Sequence, residues 1–128
     1  MTVANTTALP KGLRVLVVED EMLLAMSLED MLAELGCNVV GPVGGVTKAV
    51  ELAKSESLDL ALLDLNIAGQ AVYPVARELD CRDVRFIFVS GYGSDRLPQE
   101  WRNRPLLEKP FQPRDLERVL SRVIAGDA

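Results

Sequence analysis

The strongest constraint on the fold is the stretch LDLALLDLN at residues 58–66, in which an almost wholly apolar run ends at the carboxylate of Asp64. Such a run, apolar without alternation, predicts a central strand of a parallel sheet that helices cover on both faces. In an open parallel sheet, ligand chemistry gathers beyond the carboxyl ends of the strands. We therefore expect Asp64 at that edge of the sheet, and the alternative is that it caps a helix.

The rest of the chain alternates strand and helix patterns around this run. Further strands are predicted at residues 13–18, 37–42, 84–89 and 106–107. Helices are predicted at residues 21–35, 46–55 and 73–79. A last helix opens at Pro113, and its predicted inner face consists of Leu116, Val119, Leu120, Val123 and Ile124. This alternation predicts an α/β protein with a parallel sheet.

Residues 93–105 break the alternation where a fourth helix is due. Pro98, together with the glycine and serine at the start of this segment, opposes a regular helix. We expect at most one or two turns at residues 98–102, with Trp101 as a packing anchor. The segment is predicted to be the most mobile part of the fold.

Composition limits the classes of protein to which the chain can belong. Its 128 residues suit one domain, predicted at residues 12–125 between a flexible tail at 1–11 and a short tail at 126–128. A net charge of −5 argues against nucleic acid as a partner, and no apolar run is long enough to span a membrane. The first residues lack the apolar core of a signal peptide, so a cytoplasmic location is expected.

Histidine is absent from the sequence, which argues against a zinc site and excludes a histidine-based catalytic triad. Cys37 and Cys81 lack the spacing of metal ligands and are expected to be reduced thiols. Several arginines are expected on solvated faces or at the rim of a partner's contact: Arg102, Arg104, Arg114, Arg118 and Arg122.

Polar side chains follow four of the predicted strands, namely Glu19 and Asp20, Asp64, Ser90, and Lys109. Carboxylates that meet at one sheet edge repel one another unless a cation joins them, and oxygen ligands suit Mg²⁺. The Lys109 ammonium and the Ser90 hydroxyl suit the oxygens of a phosphoryl group in transfer. Asp64 can then act as the nucleophile and form an acyl phosphate. For Glu19 and Asp20, the alternative is a solvated first turn of the following helix.

Four motifs in this order resemble the receiver domain of bacterial two-component response regulators: VVEDE at 17–21, LLDLN at 62–66, FVSG at 88–91 and KPF at 109–111. The resemblance implies a flavodoxin-like (βα)5 fold, with a five-stranded parallel sheet in the order 2-1-3-4-5 and here a shortened or irregular fourth helix. It also implies a stand-alone signalling domain that catalyses only its own phosphorylation and dephosphorylation.

The resemblance assigns a role to each candidate residue. Asp64 is the phosphoacceptor for a sensor histidine kinase or a phosphotransfer protein. The ligands of Mg²⁺, or of Mn²⁺, are Glu19, Asp20, Asp64 and the backbone carbonyl of Asn66. Ser90 stands at the switch hydroxyl and Lys109 at the phosphate-pairing lysine, and the Lys109–Pro110 bond is typically cis in the family. Phosphorylation is expected to alter a face that binds a downstream protein.

The sequence departs from the family pattern at three places. Glu19 replaces the commoner aspartate, and IAG at residues 67–69 replaces the usual Met-Pro. Leu106 stands at the position of the aromatic switch residue. Coupling of Ser90 to a rotating ring therefore cannot operate in its usual form, and we expect an order–disorder change across residues 91–106 instead.

The FVSGY sequence at residues 88–92, with YPVA at 73–76, is similar to a subgroup of stand-alone receivers known by the motif Phe-Ala-Thr-Gly-x-Tyr. Serine stands in place of the threonine, and Tyr92 directly follows the glycine. Tyr92 is interpreted either as core filler or as a switch residue.

Three other functions are weaker fits. A phosphohydrolase of the haloacid dehalogenase type needs a second aspartate where this chain has Asn66, which cannot transfer a proton. A flavin site lacks a phosphate-binding loop after Val18, where the acidic residues would repel the flavin phosphate. A phosphate sink, in which Asp64 is phosphorylated but no partner responds, stays open.

Overall fold

The computed structural model describes residues 9–126, so residues 1–8 and 127–128 of the two predicted tails lie outside the described residues. Its helices are α1 (Met22–Glu34), α2 (Val46–Ser55), α3 (Tyr73–Cys81) and α4 (Pro113–Ile124). Its strands are β1 (Arg14–Val18), β2 (Asn38–Val43), β3 (Leu60–Asp64), β4 (Asn66–Ile67), β5 (Gln70–Ala71), β6 (Arg85–Ser90) and β7 (Leu106–Glu108).

Five strands form one parallel sheet in the order β2-β1-β3-β6-β7. The short strands β4 and β5 pair only with each other and are not part of this sheet. The order of the five remaining strands is the predicted order 2-1-3-4-5, so the predicted fold class is confirmed. β3 lies at the centre of the sheet, as its continuous apolar run predicts. The carboxyl ends of β1 and β3 are therefore neighbours.

Two apolar layers cover the sheet because successive strand residues point to opposite faces. The face under α2 and α3 is formed by Leu16, Val18, Ala61, Leu63, Phe86 and Phe88. The face under α1 and α4 is formed by Val15, Val17, Leu60, Leu62, Ile87 and Val89. Burying each large aliphatic side chain contributes about 1.5–3 kcal/mol. On α4 the buried residues are Leu116, Leu120 and Val123, with Val119 and Ile124 half-buried.

The segment after Asp64 differs from its prediction. A glycine-containing loop was expected, whereas β4 and β5 form a short antiparallel hairpin. The sequence gives a weak signal for this hairpin, since Ala68–Gly69 is not one of the dipeptides typical of a two-residue turn. α3 also runs two residues beyond the predicted end at residue 79.

The predicted irregular segment is confirmed at residues 93–105. It contains two short 3₁₀ turns, Ser94–Arg96 and Gln99–Trp101, in place of a fourth α-helix. The second turn lies within the predicted residues 98–102, whereas the first was not predicted. Trp101 is buried, with its ring 6.2 Å from that of Tyr73 in a stacked arrangement. The packing anchor is therefore confirmed, while the greater mobility of the segment stays a prediction.

The solvated position expected for Arg104 is wrong in part, because its side chain is half-buried, whereas Arg102 is exposed as expected. Arg104 pairs with Asp80 of α3 at 2.9 Å, and its guanidinium lies over the Trp101 ring at 5.4 Å. Arg102 donates from Nε to the Leu97 carbonyl at 2.8 Å. Both side chains help to fold residues 93–105, because their planar guanidinium groups can stack and donate hydrogen bonds at once.

A β-bulge in β2, at Gly41 and Pro42, lies opposite the end of β1. The register between β1 and β2 shifts between Leu16 and Val18, and beyond the bulge the Glu19 amide donates to the Val43 carbonyl at 2.9 Å. Gly41 has a φ of +94°, and a Cβ there would lie 2.9 Å from the Val43 nitrogen. A side chain at this position is therefore excluded by both strain and space. The bulge fixes the backbone that carries Glu19.

Candidate functional site

Three carboxylates meet at the carboxyl end of the sheet. Glu19 and Asp20 directly follow β1, and Asp64 is the last residue of the neighbouring strand β3. One oxygen from each side chain lies within 4.8 Å of an oxygen of the others. The parallel pairing of β1 with β3 produces this convergence, because it places both strand ends at the same edge.

Lys109 brings a positive charge into the same cluster. Its Nζ lies 3.2 Å from Asp64 Oδ1 and 3.8 Å from Glu19 Oε1. The backbone N–H of Lys109 donates to the Ser90 carbonyl at 2.7 Å, which extends the pairing of β6 with β7 by one residue. The Lys109–Pro110 bond is cis, the geometry that the resemblance implies.

Glu19 is the most deeply buried of the three acids, with 4% of the residue exposed. Its Oε2 accepts the Glu21 backbone N–H at 3.0 Å, whereas Oε1 has no hydrogen-bond partner within residues 9–126. A buried carboxylate oxygen without a donor is costly. A cation bound between the acids would satisfy it, so the residues present fit Mg²⁺, a hard ion that prefers oxygen ligands.

Burial raises the pKa of both Glu19 and Asp64 above the ordinary values of these acids. In each case desolvation is the largest cause, since it disfavours the charged form. The Lys109 ammonium acts in the opposite direction on the pKa of both groups, and the mutual repulsion of the acids adds to the rise. One lysine thus only partly offsets three carboxylates.

These raised pKa values predict how the stability of the metal-free protein depends on pH. A carboxyl group that holds its proton more tightly when folded stabilises the fold at low pH, and this stability is lost as the pH rises through the raised pKa. Glu19→Gln is therefore expected to raise the melting temperature by ~2–5 °C at neutral pH, the shift for about 1 kcal/mol, and by less near pH 4.

Thermal unfolding in EDTA at several pH values measures this effect, with Glu21→Gln as the control because Glu21 is exposed. Addition of Mg²⁺ is expected to stabilise the parent more than Glu19→Gln. Equal pH profiles for the two variants would contradict the prediction.

Ser90 and Tyr92 lie at the end of β6. Ser90 is buried, and its Oγ accepts the Tyr92 backbone N–H at 2.9 Å. The Tyr92 side chain is 58% exposed, so the interpretation as core filler is wrong. The guanidinium of Arg96 covers its ring at 4.4 Å from the ring centroid. That contact was not predicted, because Arg96 gives no sequence signal beyond its four-residue spacing from Tyr92.

The other two predicted positions lie at the edges of the cluster. Asn66 opens β4 two residues after Asp64, and its side chain is exposed. Leu106 begins β7, is half-buried, and packs against the apolar cluster that contains Trp101.

Sequence reasoning also missed a backbone contact of Asp20. The Ala68 backbone N–H, in the turn between β4 and β5, donates to Asp20 Oδ2 at 2.9 Å. Ala68 has a φ of +51° and Gly69 a φ of +83°. A two-residue turn of this type requires positive φ values at both central residues. Because alanine rarely adopts a positive φ, the sequence did not indicate the turn.

The geometry agrees with the comparisons with known proteins. The model of the response regulator receiver domain family matches residues 15–121. This chain belongs to that family. The receiver domain is 36% identical over 115 residues to the phyllosphere-induced regulator PhyR of Methylorubrum extorquens, a match that covers 86% of the chain but 43% of PhyR. The chain thus spans less than half the length of that relative.

Two solved structures extend the comparison. SdrG of Sphingomonas melonis has a TM-score of 0.80 and 36% identity, with 91% of this chain and 99% of SdrG covered. The receiver domain of the sensor histidine kinase PA1611 of Pseudomonas aeruginosa has a TM-score of 0.78 and 29% identity, with 89% and 98% covered. That second structure has a magnesium ion coordinated in its active-site cleft.

The helices offer no candidate for a membrane span. Within residues 9–126, none is both long enough and apolar enough to cross a bilayer.

Proposed function

We propose that this receiver domain accepts a phosphoryl group on Asp64 in an Mg²⁺-dependent reaction and acts as a response regulator in a phosphorelay. The observation that carries the proposal is the contact of Lys109 with Asp64, beside a buried oxygen of Glu19 that accepts no hydrogen bond within residues 9–126. A cation would offset the negative charge of the carboxylates, and a phosphoryl group would offset the positive charge of the Lys109 ammonium. The chain then acts on its own aspartate and is not a turnover enzyme.

In the proposed transfer, an Asp64 carboxylate oxygen attacks phosphorus while the bond from phosphorus to the donor's histidine nitrogen breaks. The proton that the nitrogen needs comes from solvent or from the donor protein. Lys109 Nζ and the Ser90 hydroxyl stabilise the charge on the phosphoryl oxygens. An Mg²⁺ ion held by this site would supply further positive charge to offset the negative charge of the transferred group. Its proposed ligands are Glu19, Asp20, Asp64 and the Asn66 carbonyl.

A surface suited to the donor protein lies beside the site. Met22, Leu23 and Met26 of α1 are exposed apolar residues, and they begin two residues after Asp20. A groove of about 240 Å³ runs between α1 and residues 109–111. A sensor histidine kinase or a phosphotransfer protein is the proposed partner, and we assign the reaction to the cytoplasm, where such donors present their phosphohistidines.

The output side of the proposal involves residues 91–106. Ser90 is joined to this segment by its hydrogen bond from the Tyr92 amide, so a hydroxyl that turns toward a phosphoryl group must change that contact. Tyr92 and Leu106 lie at the two ends of the segment. We propose that phosphorylation shifts the segment between two arrangements, which a downstream protein distinguishes. In the alternative of a phosphate sink, Asp64 is phosphorylated by the same chemistry but no downstream protein responds.

Acetyl phosphate provides the test, because it supplies phosphoryl groups without a kinase. Intact mass spectrometry is expected to show one added phosphoryl group in the presence of Mg²⁺ and none in EDTA. The modification should be lost in alkali, as an acyl phosphate is. No added mass under any condition with Mg²⁺, in protein shown to be folded by circular dichroism, would disprove the proposal.

A further inference from the structure

The hairpin of β4 and β5 adopts a conformation that its sequence does not favour. Ala68 and Gly69 both have positive φ values, which alanine rarely adopts because its Cβ crowds the following carbonyl. A strained residue persists only when its surroundings hold it in place. The contacts that hold this turn therefore indicate what the turn does.

Both sides of the turn are fixed to the body of the domain. Ile67 and Val72 are completely buried, and the Val72 amide donates to the Leu65 carbonyl at 3.0 Å. The tip of the turn is fixed by the hydrogen bond from the Ala68 amide to Asp20 Oδ2, across 48 positions of sequence. The turn thus points one backbone donor at one acid of the cluster.

Asp20 needs such a contact more than its two neighbours do. Glu19 is buried and Asp64 is paired with Lys109, whereas Asp20 is exposed and faces two like charges. Repulsion would turn its carboxylate toward solvent. The Ala68 N–H holds it beside the cluster, and a carboxylate that accepts one such bond still has lone pairs for a cation.

We propose that the β4–β5 hairpin is a positioning element for the metal site, in which the Ala68 amide orients Asp20 for Mg²⁺. This inference rests on the proposed function. Residues 67–69 are the segment that departs from the usual family pattern, and the inference gives them the role of holding Asp20, a metal ligand from another part of the chain, in position. Groups that orient a metal ligand in this way commonly change metal affinity by about 10- to 100-fold.

Gly69→Val tests the inference, because a β-branched residue cannot adopt the φ of +83° and the turn must rearrange. Gly126→Val is the matched control: Gly126 has a φ of +86°, and a Cβ at either glycine would have no atom within 4 Å. Gly69→Asn is the conservative variant, since asparagine tolerates positive φ. Mg²⁺ is titrated into each ¹⁵N-labelled protein, and amide shifts give the dissociation constant.

Gly69→Val is expected to weaken Mg²⁺ binding about tenfold, with Gly69→Asn and Gly126→Val close to the parent. Unchanged binding in Gly69→Val, or an equal loss in Gly126→Val, would overturn the inference while the proposed function stands. A parent that binds no Mg²⁺ would overturn both.

Amide exchange gives a second readout that needs no metal. In Asp20→Ala, the Ala68 amide loses its acceptor and should exchange faster than in the parent. The Val72 amide, which is bonded to the Leu65 carbonyl, should keep its rate. Equal Ala68 exchange in the two proteins would show that the contact does not hold the turn, and this outcome also overturns the inference.

Discussion

Replacement of Asp64 by asparagine is expected to abolish phosphorylation by acetyl phosphate while the fold stays intact. Asparagine has nearly the same shape, but its amide oxygen is not a nucleophile toward phosphorus. Asp64 is the last residue of β3 and pairs with Val89 of β6 through its backbone, so the sheet does not depend on the charge of its side chain. Intact mass after incubation with Mg²⁺ and acetyl phosphate is the measurement.

The same change is expected to raise the melting temperature of the metal-free protein. The pKa of Asp64 is raised, chiefly by burial, so its charged form destabilises the fold at neutral pH. Loss of phosphorylation together with a higher melting temperature cannot be ascribed to unfolding. Asp83→Asn is the matched control, because Asp83 is exposed after α3 and has a φ of +58°, which asparagine also tolerates. An Asp64→Asn protein that still gains a phosphoryl group would place the acceptor elsewhere.

The sequence predicted the sheet because its signals are local and strong. The short apolar run before Asp64 predicts a buried strand. The helix α2 has the predicted bounds because Gly45 precedes apolar residues at helical spacing. Strand order followed from the family resemblance. Once that order was given, the meeting of Asp20, Asp64 and Lys109 followed from the rule that parallel strands end at one edge.

Two of the contacts that the sequence did not predict join residues that are far apart in the chain. An arginine in a polar segment is expected to be solvated, and only the folded chain brings Asp80 and the Trp101 ring to the Arg104 guanidinium. The Ala68 contact with Asp20 depends on a backbone conformation that alanine seldom adopts. Tyr92 was ambiguous because an aromatic residue after a strand packs inward or outward according to its neighbours.

Trp101 is expected to be the largest single contributor to the stability of residues 93–105. Its ring lies 5.8 Å from Phe86 and 5.9 Å from Phe88 in edge-to-face arrangements, and it stacks on Tyr73. Trp101→Ala is therefore expected to reduce the free energy of unfolding by about 3–5 kcal/mol. Urea denaturation followed by circular dichroism measures it, since the variant lacks the one tryptophan of the sequence.

Trp101→Phe separates the loss of packing from the loss of the indole N–H. Trp101 Nε1 is buried without a hydrogen-bond partner within residues 9–126, and an unsatisfied donor costs about 1–3 kcal/mol. Phenylalanine keeps much of the ring contact and removes that donor, so its cost should be well below that of alanine. Equal destabilisation by the two variants would contradict an aromatic anchor.

The two variants also test whether the anchor controls the proposed switch. Arg77 pairs with Glu100, and Asp80 with Arg104, so that the segment is joined to α3 on either side of Trp101; the first pair is exposed and the second is partly exposed. Exposed ion pairs contribute little alone, so the ring must hold the segment. Amide exchange across residues 91–106 should accelerate in Trp101→Ala, remain slow in Trp101→Phe, and leave β1 and β3 unchanged. Uniform acceleration through the sheet would show instead that the segment unfolds only with the whole domain.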